Sequence, residues 1–414
     1  MKTLAEVKDY AVYGEYDIVV VGGGMAGCGA ALSAARAGKK TILVETTSGL
    51  GGLATMGLVN IPLDFASGDS DLMFYAGGET VTGRPGDHMS MGCSMDFVIS
   101  GVDWNKWKNS DIWKNDPNWL KPLAKAINEG RLPDIDNHRN WTTHLPGRPM
   151  DTDKDEVCLC ICHSRNCYPT NSKDLTRMYL EGRQQCQIIH QWVKETMPGF
   201  ENSWLSYTAP LLGVRESRRI VGEYVFTGMD IAYARSFDDV IAVSQHGFDL
   251  HGFEASGNMK WFKGKLPDGQ DAYICNRGGW GSQFPPEDGL PRVNMKDLIP
   301  DPNMFWYEIP FRSLVPVRIN NVLAAGRNIS TDIPGQSGIR LVMCCMAQGE
   351  AAGAAAAQAI DTGKAPRDID VAQLQRTLVG YGCNLGQAWR KLPALGEDFV
   401  AANDTVKLFG VQNG

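Results

Sequence analysis

One stretch constrains this chain more than any other: residues 16–57, YDIVVVGGGMAGCGAALSAARAGKKTILVETTSGLGGLATMG. Ile18–Val21 is an apolar β-branched run, which predicts a buried parallel strand. It leads straight into Gly22-Gly23-Gly24-Met25-Ala26-Gly27, a G-x-G-x-x-G. An Ala-rich helix is expected over Cys28–Ala37, ended by Gly38, then a second strand at Thr41–Val44 that stops on Glu45. Strand, glycine turn, helix, strand and acid stand at the spacing of a dinucleotide-binding βαβ unit. Gly22 makes the tight turn, Gly24 lets backbone approach a pyrophosphate, and Gly27 lets helix and strand pack closely. Met25 and Ala26 belong to the turn ahead of the helix, whose N–H groups and positive dipole end face the phosphates. Glu45 is placed to accept hydrogen bonds from a ribose and to repel a 2′-phosphate.

A second glycine-rich loop, Gly49-Leu50-Gly51-Gly52-Leu53-Ala54-Thr55-Met56-Gly57, follows the acid. It resembles the G-G-x-x-T loop of FAD-dependent oxidoreductases in the glutathione-reductase and fumarate-reductase group. Later stretches extend the resemblance in order. Ala66-Ser67-Gly68-Asp69, within Ile61–Leu72, resembles the A-T-G-D strand end of these flavoproteins. Arg215-Glu216-Ser217-Arg218-Arg219-Ile220, Asp249-Leu250-His251-Gly252 and Tyr307–Leu314 resemble R-E-S-R-R-I, D-x-H-G and Y-x-I-P-Y-R-S-L, with Phe311 in place of a Tyr. Asn321–Ala325 followed by Gly326-Arg327-Asn328-Ile329-Ser330 resembles their C-terminal L-x-A-G-R-x-I-S signature.

The resemblance implies non-covalent FAD. Gly51, Gly52, Leu53, Ala54 and Thr55 would lie along the pyrophosphate and flavin, with Gly68 and Asp69 closing the cofactor sheet. Gly326 and Arg327 would follow a strand returning to the flavin. Gly338, Ile339 and Arg340 would sit in the first turn of a helix spanning Gly335–Ala357 and aimed at the flavin pyrimidine. Helix dipole and N–H groups there stabilise an anionic reduced ring. Two departures stand out. Relatives carry a long segment between the G-G-x-x-T loop and the A-T-G-D strand, where this chain has only Leu58, Val59 and Asn60: either the segment has been lost, or residues are absent from the sequence at that point. Asp332 also stands where many relatives carry a His.

The same stretches supply the catalytic candidates. His251 is read either as a general acid or base near neutral pH or as a satisfied core histidine. Arg215 and Arg312 are candidates to hold a substrate carboxylate or a forming alkoxide. Tyr307 is a candidate to orient substrate or relay a proton, while Glu216, Arg218 and Arg219 read as a structural ion network. Trp104, Trp107, Trp113 and Trp119 read as aromatic packing of a loop-rich lid, with stacking on a sugar-like substrate as the functional alternative. Cys158, Cys160 and Cys162 alternate on one face of a strand, near His163 and Cys167. C-x-C-x-C spreads thiols along a strand, unlike the C-x-x-C of zinc and iron–sulfur sites, so buried small residues are preferred over metal ligands or redox thiols. No metal is expected. Helices are further expected at Ser172–Thr196 with Ser172 as cap, at Asp238–Ser244 and at Asp368–Leu378.

A net charge of −7 over 414 residues argues against nucleic-acid and anionic-membrane partners. The long small-apolar run Leu341–Ile360 carries Gln348, Glu350 and Gln358 and reads as a buried soluble helix. Eleven cysteines, with no export signal in the first fifteen residues, fit a cytoplasmic protein with reduced thiols. The expected fold is α/β: a Rossmann-like, discontinuous FAD-binding domain at 1–72 and 315–365, an interleaved α+β substrate domain with the Trp-rich lid at 73–314, and a C-terminal helix and tail at 366–414. The expected function is hydride transfer between a small polar metabolite, a sugar or sugar acid first, and flavin N5. The electron acceptor and a homo-oligomeric state stay open. The alternatives are a thiol or electron-transfer flavoprotein resembling heterodisulfide reductase A, disfavoured by the lack of iron–sulfur cysteine motifs, and a flavin-binding scaffold or assembly subunit without turnover.

Overall fold

The structure is a computed structural model that describes residues 12–58, 73–74, 77–115, 120–133, 135, 147–151, 155–254, 259–281, 284–299, 306–387 and 392. It is a mixed α/β fold with several small sheets. The opening unit is β1 (Ile18–Val21), α1 (Met25–Arg36) and β2 (Thr41–Val44). The two strands run parallel, Ile18 opposite Thr41 through Val21 opposite Val44. The helix begins earlier than Cys28, because the extended backbone of Gly24 already forms its N-cap. Ile18 and Val20 pack on Ala30 and Ala34 of α1. Val19 and Val21 point the other way and are 57% and 56% exposed, so the expectation of a strand buried on both faces is corrected: one face is covered.

A short α2 (Leu53–Met56) follows, then β3 (Thr80–Thr82), β4 (Phe97–Ser100), α3 (Trp104–Asn109), α4 (Asp111–Asn115), α5 (Leu120–Asn128), β5 (Gly147–Asp151), β6 (Glu156–Leu159), α6 (Ser172–Thr196) and β7 (Trp204–Thr208). Strands β5-β6-β4-β7 form a four-stranded sheet, and β4 shares one buried core with Met178, Ile189 and Val193 of α6. The cap of α6 is Asn171 rather than Ser172: its Oδ1 accepts from Lys173 N (3.0 Å) and Asp174 N (3.4 Å).

Next come β8 (Arg218–Ile220), α7 (Gly228–Ala232), β9 (Val240–Ser244), β10 (Trp261–Lys265), β11 (Asp271–Cys275), β12 (Arg292–Asn294) and β13 (Tyr307–Pro310). The helix anticipated at Asp238–Ser244 is strand β9, paired antiparallel with β13. Val240-Ile241-Ala242-Val243 is short and β-branched, and the partner strand decides its state. Asn321–Ala325 is not a strand but irregular chain, tied by Ala324 N to Leu314 O at 3.0 Å.

The long helix expected over Gly335–Ala357 is two: α8 (Ile333–Ile339) and α9 (Val342–Thr362). Leu341 is extended between them (φ −70°, ψ 152°), which breaks the ladder. The last helix, α10 (Val371–Gly380), starts after Asp370, whose side chain caps Gln373 N. Helices α1 and α9 meet backbone to backbone: a Cβ on Gly349 would lie 2.0 Å from Ala26 O, and one on Gly353 2.3 Å from Ala30 O. Glycine at those positions brings the start of α9 against the glycine turn.

Candidate active site

The glycine turn has the geometry its sequence demands. Gly22 has φ +97° and makes the turn, and a Cβ on Gly27 would lie 1.8 Å from Gly22 O. Gly24 caps α1 with no side chain at the helix end, which leaves the first-turn N–H groups facing outward for an anion. The second glycine loop docks on the first through Gly51 N to Gly23 O at 2.7 Å. Thr55 Oγ1 donates to Leu50 O (2.6 Å) and pins that loop, while Leu53 is buried beneath it. Glu45 Oε2 accepts from Gly23 N at 2.5 Å, and its Oε1 accepts from Thr47 N and Oγ1 at 2.8 Å each. Burial acts to raise the Glu45 carboxyl, but the hydrogen bonds from Thr47 and Gly23 prevail and hold it below its ordinary value.

Residues far along the chain return to this turn. Gly326, at φ +96°, sits so close to α1 that its Cβ would lie 3.1 Å from the Ala26 Cβ. Its N–H donates to Gln348 Oε1 (2.9 Å), and Gln348 Nε2 donates to Ile339 O (3.1 Å). Gln348 therefore ties α9, the Gly326 turn and the end of α8 together. Its sequence signal is an amide inside a mostly small-apolar run. Gly68 and Asp69 lie outside the described residues.

A second group of site residues is buried behind α8. Arg340 caps that helix and is not in a first turn; its Nη2 donates to Asp249 Oδ2 (2.6 Å) and Asp249 O (2.5 Å). Asp249 Oδ1 lies 3.2 Å from His251 Nε2. Burial opposes the charge on Asp249, but the facing charges of His251 and Arg340, with His246 behind them, hold the carboxyl well below its usual range. The His251 ring stacks on His163 at 6.0 Å between centroids. Gly92 leaves room for that second ring, since a Cβ there would meet His163 Nε2 at 1.9 Å. Arg215 donates to the Gly92 carbonyl, and Gln336 Nε2 donates to Arg215 O at 2.9 Å. His163, Arg215, Asp249, His251 and Arg340 are all less than a tenth exposed. The sequence grouped His163 with the cysteines and gave Asp249 no role; only the fold joins them to His251.

The other candidates divide. Tyr307 donates its hydroxyl to Gly338 O (2.9 Å), and burial pushes its phenol well up, so it acts as a neutral donor. Arg312 is not brought to the cluster. It is bidentate to Asp239 (Nε to Oδ2 2.9 Å, Nη2 to Oδ1 3.1 Å), covers the Tyr224 ring, and its side chain is 49% exposed. The pair ties the residue that precedes β9 to the chain just past the end of β13. Arg219 and Glu216 pair at 2.5 Å in the interior, and Glu216 also accepts Met91 N at 2.9 Å. Trp104 and Trp107 are buried, with Trp107 edge-on to Trp113 and to Phe200 at 5.6 Å in each case. Trp119 lies outside the described residues. Cys162 Sγ lies 3.6 Å from Cys186 Sγ as a buried thiol contact, and no metal-type group of His, Cys, Asp and Glu occurs among the described residues.

Fold and site together define a dinucleotide-binding protein with a buried charged centre. A family model described as FAD dependent oxidoreductase matches residues 17–66 and 63–378. The chain belongs to that family: it is an FAD-dependent oxidoreductase with FAD as its cofactor. The two matched pieces overlap at 63–66. No curated protein and no solved structure matches the chain. Among the described residues no helix is long and apolar enough to cross a membrane.

Proposed function

We propose that the enzyme moves a hydride between a small polar metabolite and FAD, with a sugar or sugar acid as the first class to test. The open end of α1, the bare turn at Gly22–Gly27 and the docked Gly51–Thr55 loop fit a pyrophosphate. Glu45 suits the ribose, and the Gly326–Gln348–Ile339 links support a cofactor domain assembled from both ends of the chain, 1–72 and 315–365. When bound, FAD supplies the two-electron acceptor, its N5 taking the hydride.

The chain's own residues handle the proton. His251 takes the substrate hydroxyl proton as the carbon–hydrogen bond breaks. Asp249 orients the imidazole and stabilises it once charged, as a carboxylate does for a catalytic histidine. Arg340 keeps Asp249 ionised and in place. His163 closes the other face of the ring. The observation that carries this reading is the buried Asp249–His251 pair braced from the end of α8 by Arg340. Standing as thiols, the eleven cysteines support a reducing, cytoplasmic setting.

The test is anaerobic bleaching of the flavin band by sugars, hydroxy acids and amines, repeated on His251→Asn. The variant is expected to keep its FAD and to react about 10²–10⁴-fold more slowly. An unchanged rate removes His251 from the mechanism.

A further inference from the structure

A cavity of about 220 Å³ opens beside the segment that carries Asp249. His246, Lys260, Asn276, Arg277, Trp306 and Tyr307 line it. Three of these six are basic, and no Asp or Glu stands among the described residues that line it, in a chain of net charge −7. The local sign of charge is thus opposite to that of the whole molecule.

The walls are fixed. Asn276 clamps the Phe248 backbone in both directions, Oδ1 accepting the N–H and Nδ2 donating to the carbonyl, each at 2.6 Å. Asn294 Nδ2 donates to the carbonyls of Asn276 (2.9 Å) and Arg277 (3.3 Å). His246 Nδ1 donates to Gly247 O at 2.7 Å, which sets the ring's tautomer. Lys260 is held at φ +50°, in the left-handed region that side chains other than glycine avoid, while its carbonyl accepts Asn276 N at 3.0 Å. Backbone held in such a conformation by its surroundings clusters at functional sites.

Size and position narrow the occupant. The space of about 220 Å³ is enough for an acid of a few carbons. Trp306 and Tyr307 offer apolar ring surface to its carbon chain. Tyr307 also touches Gly338, and Gly247 of the cavity wall is two residues, at most about 7 Å of chain, from Asp249.

We propose that this cavity binds a small carboxylate metabolite through Lys260 and Arg277, and that this acid is the substrate of the hydride transfer. An arginine fork beside a lysine is suited to a carboxylate, and the role first given to Arg215 and Arg312 falls to these two residues. That the cavity binds carboxylates is independent of the reading above; that the bound acid is oxidised or reduced rests on it.

Calorimetric titration of the FAD-loaded protein with glycolate, glycerate and malate, and with glycerol and erythritol as uncharged counterparts, tests the site. At least one acid should saturate, bind more weakly as salt rises, and lose about ten- to a hundredfold in affinity in Lys260→Met and Arg277→Met. Lys260→Arg should retain most of the affinity. FAD content and melting temperature are read first for each variant, and if Arg277→Met does not hold FAD, Lys260→Met decides. No saturable acid, equal binding of erythritol, or unchanged affinity in Lys260→Met overturns the site. An acid that binds through Lys260 while the flavin is bleached only by neutral compounds overturns its assignment as substrate and leaves the His251 chemistry standing.

Discussion

Strands β1 and β4 are both four residues long and mostly apolar, Ile-Val-Val-Val and Phe-Val-Ile-Ser, yet water meets them differently. All of β4 is buried: β6 and β7 flank its edges, and α6 adds side chains to its core. Strand β1 has β2 on one edge and α1 on one face, and Val19 and Val21 face out beside exposed Val44 and Leu50. A run of β-branched residues therefore announces a strand but not how many faces will be covered. Coverage depends on what else the chain brings to that face. The fully packed sheet is a core element, while the half-covered unit carries the glycine turn proposed to hold the cofactor.

Substitutions that separate those two jobs sharpen the contrast. The largest effect is expected from Phe97→Ala in β4, about 3–5 kcal/mol by urea denaturation, with the surviving folded protein still yellow. A loss under about 1 kcal/mol would show that β4 is not a core strand. Gly27→Ala drives a methyl group into the Gly22 carbonyl and should cost about 1–3 kcal/mol. Unlike Phe97→Ala, it should abolish FAD binding, because the turn must move.

A third effect is read against pH. Burial raises the Asp332 carboxyl to about 6, more than the N–H groups of Gly335 and Gly228 lower it. Between about pH 4 and 6 the folded protein holds a proton there that the unfolded chain has released, so this group makes stability fall as pH rises through that window. Asp332→Asn keeps an acceptor at the cap of α8 and should flatten the fall in urea midpoints between pH 4.5 and 6.5. A midpoint slope unchanged by the substitution would count against a raised carboxyl. Smallest of all, Val19→Thr on the open face of β1 should stay within about 0.5 kcal/mol of wild type. A loss above about 1.5 kcal/mol would mean that this face is covered in the working protein.

What was legible in the sequence was local. The glycine turn, both strands of the opening unit and the acid after them lie within thirty residues or so of one another, and propensity, spacing and sterics agree there. Four readings turn on the same thing, which is a partner far away in the chain. The helix expected through Arg340 stops at the extended Leu341, and the Arg340 guanidinium at the break is held by Asp249, ninety-one residues away. Strand or helix at Val240–Ser244 was settled by β13. Arg312, read as a substrate ligand, has Asp239 as its partner, seventy-three residues away. His163 looked like part of a cysteine cluster until the fold stacked it on His251. Burial of charged residues near a core signals that partners exist without naming them.

The ratio of flavin absorbance to protein absorbance after gel filtration, taken on wild type, Phe97→Ala and Gly27→Ala, is the most direct test of the account. Wild type and Phe97→Ala should carry stoichiometric FAD that acid precipitation releases, and Gly27→Ala should carry none while its far-ultraviolet circular dichroism is preserved. Full FAD in Gly27→Ala would contradict the account, because the cofactor would then be held somewhere other than the turn that organises the chain.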